Sequence, residues 1–187
     1  MRILMLGNSF IYYNDLPAVL AELTGAEVSS HTRGGARLAE QINPETEMGV
    51  KTLRALAEEQ WDYVVLQEMS NAPATTKDKF LQSAKVLCEK IRENGATPVF
   101  YATWAYKKGS DKMNSMEFSY DEMYQLMYDA YHEAAEQNAA LIADVGKAFY
   151  EKAEEIELYN EDGFHPSVNG TRLAAEVIAR TIMGAEQ

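Results

Sequence analysis

Apolar residues along the chain follow two alternating patterns. Short apolar stretches occur at Ile3–Leu6, Asp62–Gln67, Thr97–Thr103 and Ala140–Val145, with a weaker one at Ala26–Ser30. Runs of this length, rich in β-branched and aromatic residues, predict strands. Between them, apolar positions recur every three or four residues, which predicts amphipathic helices. Asn14 or Asp15 caps a helix with Pro17 in its first turn, continuing through Leu20 and Leu23. Residues 47–60 put Leu53, Leu56 and Ala57 on one face. Residues 76–94 repeat Phe80, Leu81, Ala84, Leu87, Cys88 and Ile91 and stop at Asn94-Gly95. Residues 119–138 align Met123, Tyr124, Met127, Tyr131, Ala134 and Ala135, a stripe read as core. A helix is expected over 146–158, and Ser167 caps a last one carrying Leu173, Val177, Ile178 and Ile182.

Five strands alternating with helices predict an α/β fold. The expected form is a three-layer α/β/α sandwich on a flavodoxin-like five-stranded parallel sheet. At 187 residues, with no repeat or linker, residues 1–187 read as a single domain. Ligands of such sheets bind beyond the carboxyl ends of the strands. That rule selects the loops 7–14, 31–37, 68–75, 104–118 and 159–167.

Charge narrows the partners. The chain has 17 Lys+Arg against 29 Asp+Glu, a net charge of −12. A surface that negative repels phosphate backbones, so neither nucleic acid nor a membrane surface is expected as a partner. No apolar run approaches the roughly 20 residues of a membrane span. The opening MRILMLGNSF is too short, and lacks the small-residue cleavage pattern, for a signal peptide. A cytoplasmic enzyme acting on a small molecule is therefore expected. The one cysteine, Cys88, excludes an intramolecular disulfide, and its helical neighbours Leu87 and Ile91 mark it as an inert core thiol. His31, His132 and His165 form no close His–His or Cys–His pair, so no metal is expected.

Four of the selected loops carry chemistry. Ser9 follows Gly7-Asn8 at the end of the first strand, where a serine is either an exposed nucleophile or a turn residue satisfying backbone donors. Arg33-Gly34-Gly35-Ala36 permits close backbone approach and a free N–H. Gln67 and Asn71 are neutral amides able to donate to a developing oxyanion. Asp162 and His165 lie three residues apart in Asp162-Gly163-Phe164-His165-Pro166-Ser167. There a carboxylate can fix one imidazole nitrogen and leave the other facing outward as a base. The segment 104–118 adds Trp104 and Tyr106, which with Tyr12 and Tyr13 either line an acyl or sugar site or merely pack. Lys107, Lys108 and Lys112 form a local basic cluster.

These residues resemble the blocks of the SGNH hydrolases, the GDSL-like lipase/esterase superfamily, over essentially the whole chain, from Ile3 to about Met183. LMLGNSF resembles the first block, with Ser9 at the nucleophile position and Asn8 where aspartate is usual. Gly35 matches the second-block glycine. DYVVLQEMSN aligns with the third block and puts Asn71 at its asparagine; Met69 and Ala72 replace that block's glycine and aspartate, which keeps Gln67 as a rival. DGFHPS resembles the fifth block, with Asp162 and His165. The resemblance implies a serine esterase with a Ser9-His165-Asp162 triad. It implies an oxyanion hole from Ser9, Gly35 and Asn71, no cofactor, and an acyl ester substrate. Short-chain esters come first, an acetylated carbohydrate among them. The alternative is a flavodoxin-like phosphate- or small-molecule-binding module without hydrolase activity; a third reading is a hydrolase fold that has lost activity.

Overall fold

Residues Arg2–Gly7 form the first strand, β1, and its side chains enter two separate cores in alternation. Leu4 and Leu6 face one core; Ile3 and Met5 face the other. Both faces of the strand are buried, which is why it reads as an unbroken apolar run. The same division holds for β3 (Tyr63–Leu66) and β4 (Thr97–Tyr101): Val64, Leu66 and Phe100 point one way, Tyr63, Val65, Val99 and Tyr101 the other. With β2 (Glu27–Thr32) and β5 (Leu141–Ala143) they make one five-stranded sheet in the order β2-β1-β3-β4-β5. Every pairing is parallel. This is a computed structural model, and it describes residues 1–185.

Helices cover both faces. Glu47–Glu58, Lys77–Glu93 and Tyr120–Gln137 pack on the Leu4/Leu6 side. Leu16–Thr24, Val145–Lys152 and Val168–Ala185 pack on the Ile3/Met5 side. The strand order reverses at β1, so a crevice opens between β1 and β3 at their carboxyl ends. None of the helices is long and apolar enough to cross a membrane, among the described residues.

Several elements differ from the sequence reading, each for a tertiary reason. β2 runs to Thr32 rather than Ser30, so His31 belongs to the strand and not to the following loop. Its polar sequence is tolerated because β2 is an edge strand, paired only with β1. In Glu47–Glu58 the buried positions are Gly49, Thr52, Ala55 and Leu56, while Ala57 is exposed. Thr52 turns inward because its hydroxyl donates to Gln41 Oε1 at 2.5 Å and meets His31 Nδ1 at 3.0 Å. The helix expected over 146–158 ends at Lys152. Beyond it Leu158 O accepts from Ser167 N and Tyr159 pairs with Pro166, which draws the chain toward the last helix. Cys88 is fully buried, and burial pushes its thiol up to about 12.

Candidate active site

The first loop is built around close approach. A side chain on Gly7 would place its Cβ 2.5 Å from Gln67 Oε1 and 2.7 Å from Ile11 Cδ1, so any larger residue at the end of β1 would displace both side chains. Asn8 follows in an extended conformation and caps the short helix Ser9–Tyr12, accepting from Phe10 N at 3.3 Å. Its Nδ2 donates to Ala36 O (3.0 Å) and Glu68 O (3.3 Å), and its N–H donates to Gln67 Oε1 (3.0 Å). One buried amide thus joins the loops that follow β1, β2 and β3. Ser9 is the first helical residue and is 9% exposed. Its N–H, one of the helix's first-turn donors, has no acceptor among the described residues.

The last loop folds a carboxylate onto an imidazole. Gly163 takes a left-handed φ of 75°, and the turn brings Phe164 N (3.1 Å) and His165 N (3.0 Å) to Asp162 Oδ1. Asp162 Oδ2 lies 2.6 Å from His165 Nδ1, and His165 Nε2 lies 2.9 Å from Ser9 Oγ. Burial alone raises the Asp162 carboxyl. Hydrogen bonds from the His165 ring and the two backbone N–H groups outweigh it, so the carboxyl sits below its ordinary range. An ionised Asp162 places the ring proton on Nδ1 and leaves the Nε2 lone pair toward the Ser9 hydroxyl. Such a chain can take a proton from the serine as its oxygen attacks a carbonyl.

The surroundings brace this turn. Trp104, 1% exposed, stacks between Phe10 (4.7 Å) and Phe149 (3.9 Å) and donates through Nε1 to Phe164 O at 3.0 Å. Tyr106, equally buried, meets Ser70 Oγ at 2.8 Å. Both are buried packing residues, the second of the two roles the sequence left open for the aromatics. Tyr13 stacks flat on His165 at 4.1 Å, and Tyr12 is exposed beside Gly34. Lys107 pairs with Glu157 at 2.8 Å, while Lys112 lies over the Tyr106 and Phe164 rings.

The three candidate oxyanion groups differ in availability. Gly35 sits in an exposed turn with φ 68°, and its N–H has no acceptor among the described residues. Asn71 is half-buried, and its Nδ2 meets only the weak acceptor Met116 Sδ at 3.9 Å. Gln67 is fully buried and spent: Oε1 accepts from Asn8 N, and Nε2 donates to Glu68 O. Sequence reasoning missed the part played by Asn8 and Glu68. The Glu68 carboxylate accepts from Met69 N (2.6 Å) and Leu38 N (3.4 Å), which ties the third loop to the second. Burial raises its carboxyl above the ordinary range against those N–H groups and the charge of Arg37. Neither His31 nor His132 reaches this cluster. Among the described residues no three His, Cys, Asp or Glu side chains gather to hold a metal.

Comparison with known proteins agrees with this architecture. The profile of the family described as Domain of unknown function (DUF4886) matches residues 41–182, a span that includes Asn71, Asp162 and His165 and begins after Ser9. No curated protein matches the chain significantly. A protein of Slackia heliotrinireducens, described as a candidate SGNH hydrolase, is 49% identical with a TM-score of 0.94, over 97% of this chain and 98% of that one. A DUF4886 family protein of Bacteroides uniformis is 22% identical with a TM-score of 0.77, over 98% and 83%. An acetyl-xylooligosaccharide esterase of Geobacillus stearothermophilus shares the fold at 15% identity and a TM-score of 0.74, over 97% and 93%. With its all-parallel five-stranded sheet clad by helices on both faces, the chain belongs to the DUF4886 family and to the SGNH hydrolases.

Proposed function

We propose that this hydrolase is a serine esterase that removes short acyl groups, acetyl first, from small hydroxylated molecules such as carbohydrates. The observation that carries the reading is the continuous chain from Ser9 Oγ through His165 to Asp162, with separations of 2.9 and 2.6 Å. Ser9 Oγ attacks the ester carbonyl while His165 Nε2 takes its proton. Asp162 stays ionised and stabilises the imidazolium. The oxyanion of the tetrahedral intermediate is met by three unspent donors: the N–H groups of Ser9 and Gly35 and the Asn71 amide. Gln67, its amide occupied inside the scaffold, is left to hold Asn8. Collapse breaks the ester C–O bond, and His165 returns the proton to the departing alcohol. Water, deprotonated by the same imidazole, then cleaves the acyl-serine and releases the acid. No group outside the chain is needed for either half. A binding-module reading leaves this hydrogen-bonded chain without a task.

The preference for acetyl draws support from the acetyl-xylooligosaccharide esterase among the fold neighbours and from the packing of Trp104 and Tyr106, which offer no open apolar channel. The test is a panel of nitrophenyl esters from acetate to octanoate, followed by acetate release from acetylated xylo-oligosaccharides. Acetate is expected to be the fastest ester, with Ser9→Ala inactive on all. Absence of hydrolysis across the panel, or a Ser9→Ala variant as fast as the parent, contradicts the reading.

A further inference from the structure

The short helix that begins at Ser9 ends in a kink that the ester chemistry leaves unused. Asn14 (φ 50°) and Asp15 (φ 55°) both adopt the left-handed region, and among the described residues Ala139 is the one other non-glycine there. Asn and Asp tolerate that region best, yet two in succession are costly without compensation. The contacts show what the kink achieves. Asn14 Nδ2 reaches across the molecule and donates to Pro166 O at 3.0 Å and Thr171 Oγ1 at 2.9 Å. Pro166 is the residue directly after His165. The same bend lays the Tyr13 ring on the His165 ring, 4.1 Å away and 7° from parallel. Asp15 then opens the next helix by accepting from Ala18 N at 3.4 Å.

We infer that Tyr13 and Asn14 are positioning residues that hold the His165 imidazole in register with Ser9, an inference that rests on the serine esterase reading. Asp162 meets the ring at Nδ1 and Ser9 at Nε2, and two bonds in the ring plane leave the ring free to tilt about the line that joins them. Tyr13 closes one face, while Phe164, tilted by 39° at 4.1 Å, stands beside the ring. Asn14 fixes the backbone immediately after His165. Ser9 lies at the start of the short helix and this clamp lies just beyond its end, so nucleophile and base are set by one rigid piece of chain.

Asn14→Gly relieves the left-handed strain and removes the amide. The expected result is a fall in kcat of roughly ten- to a hundredfold at unchanged KM, the scale set by small misplacement of a catalytic group. Tyr13→Ala falls in the same direction, while Tyr13→Phe keeps most of the rate, because the ring and not the hydroxyl makes the contact. A readout independent of turnover is the low-field proton resonance of His165 Nδ1–H, which broadens in Asn14→Gly and Tyr13→Ala as the ring loosens. If Asn14→Gly melts early, the contrast between Tyr13→Ala and Tyr13→Phe decides. Wild-type kcat and a sharp resonance in both Asn14→Gly and Tyr13→Ala overturn the clamp. An active parent with unaffected variants removes the clamp alone. A parent inactive on every ester whose resonance still broadens in the variants keeps the clamp and removes the esterase.

Discussion

His165 and His132 each hold a carboxylate, at 2.6 Å from Asp162 and 2.9 Å from Asp144 respectively, and among the described residues only the first pair has a hydroxyl in line. His132 spends Nε2 on its aspartate and stacks on Tyr128 at 3.9 Å, on the flank of a surface helix. His165 spends Nδ1 on its aspartate and keeps Nε2 for Ser9. His31 shows the converse case: its Nδ1 meets the Thr52 hydroxyl at 3.0 Å, but among the described residues no carboxylate is hydrogen-bonded to the ring. Burial lowers His31 to about 4, so at neutral pH it is an uncharged core group. A histidine–carboxylate pair is thus common enough to occur twice in one small protein. What separates a candidate catalytic base from a surface pair is the third member, delivered here from a loop at the far end of the sequence.

That contrast predicts a graded set of losses. His165→Ala and Ser9→Ala are each expected to lower kcat by about 10⁴-fold or more, and the double variant no further, because the two act as a unit. His132→Ala, measured on the same ester, stays within about twofold, as befits a surface substitution far from the machinery. A collapse in His132→Ala with a mild His165→Ala would reverse the assignment of the two pairs. Asp162→Asn comes next, with a loss of about 10⁴ in kcat from stabilising the wrong tautomer. Asn71→Ala is expected to lose about 10²–10³ in kcat with little change in KM. The third histidine gives the smallest effect, and it is on stability. The unfolded chain binds the His31 proton at its ordinary 6.5, the folded chain only near 4. Folding therefore weakens as pH falls from about 6.5 toward 4, and the contribution is whole above that window. Urea titrations at pH 7 and pH 5 should show this loss, and His31→Gln should reduce it; an unchanged difference in the variant would locate the acid sensitivity elsewhere.

Much of the fold was legible because it rests on local pattern. Strands buried on both faces read as apolar runs, and the parallel order follows from their alternation with helices. The failures lie where distant partners decide. Thr52 turns inward for His31 and Gln41, and the Val145–Lys152 helix stops early because Leu158 and Tyr159 are claimed by residues 166 and 167. The site divides in the same way. Ser9, Asp162 and His165 stand out because each lies within two residues of a glycine, in segments at the carboxyl end of the sheet. The supports do not: Asn8 reaches Ala36 and Glu68, Asn14 reaches Pro166 and Thr171, and Trp104 reaches Phe164. No spacing rule in a single chain reveals a contact between residues so far apart in sequence.

The most direct test is chemical labelling followed by mass spectrometry of peptides. A serine-directed organophosphonate should leave one adduct, on the peptide containing Ser9, at a rate that drops sharply in His165→Ala and is unchanged in His132→Ala. An adduct on another residue, or an unlabelled Ser9 in a preparation that still cleaves esters, would contradict the account.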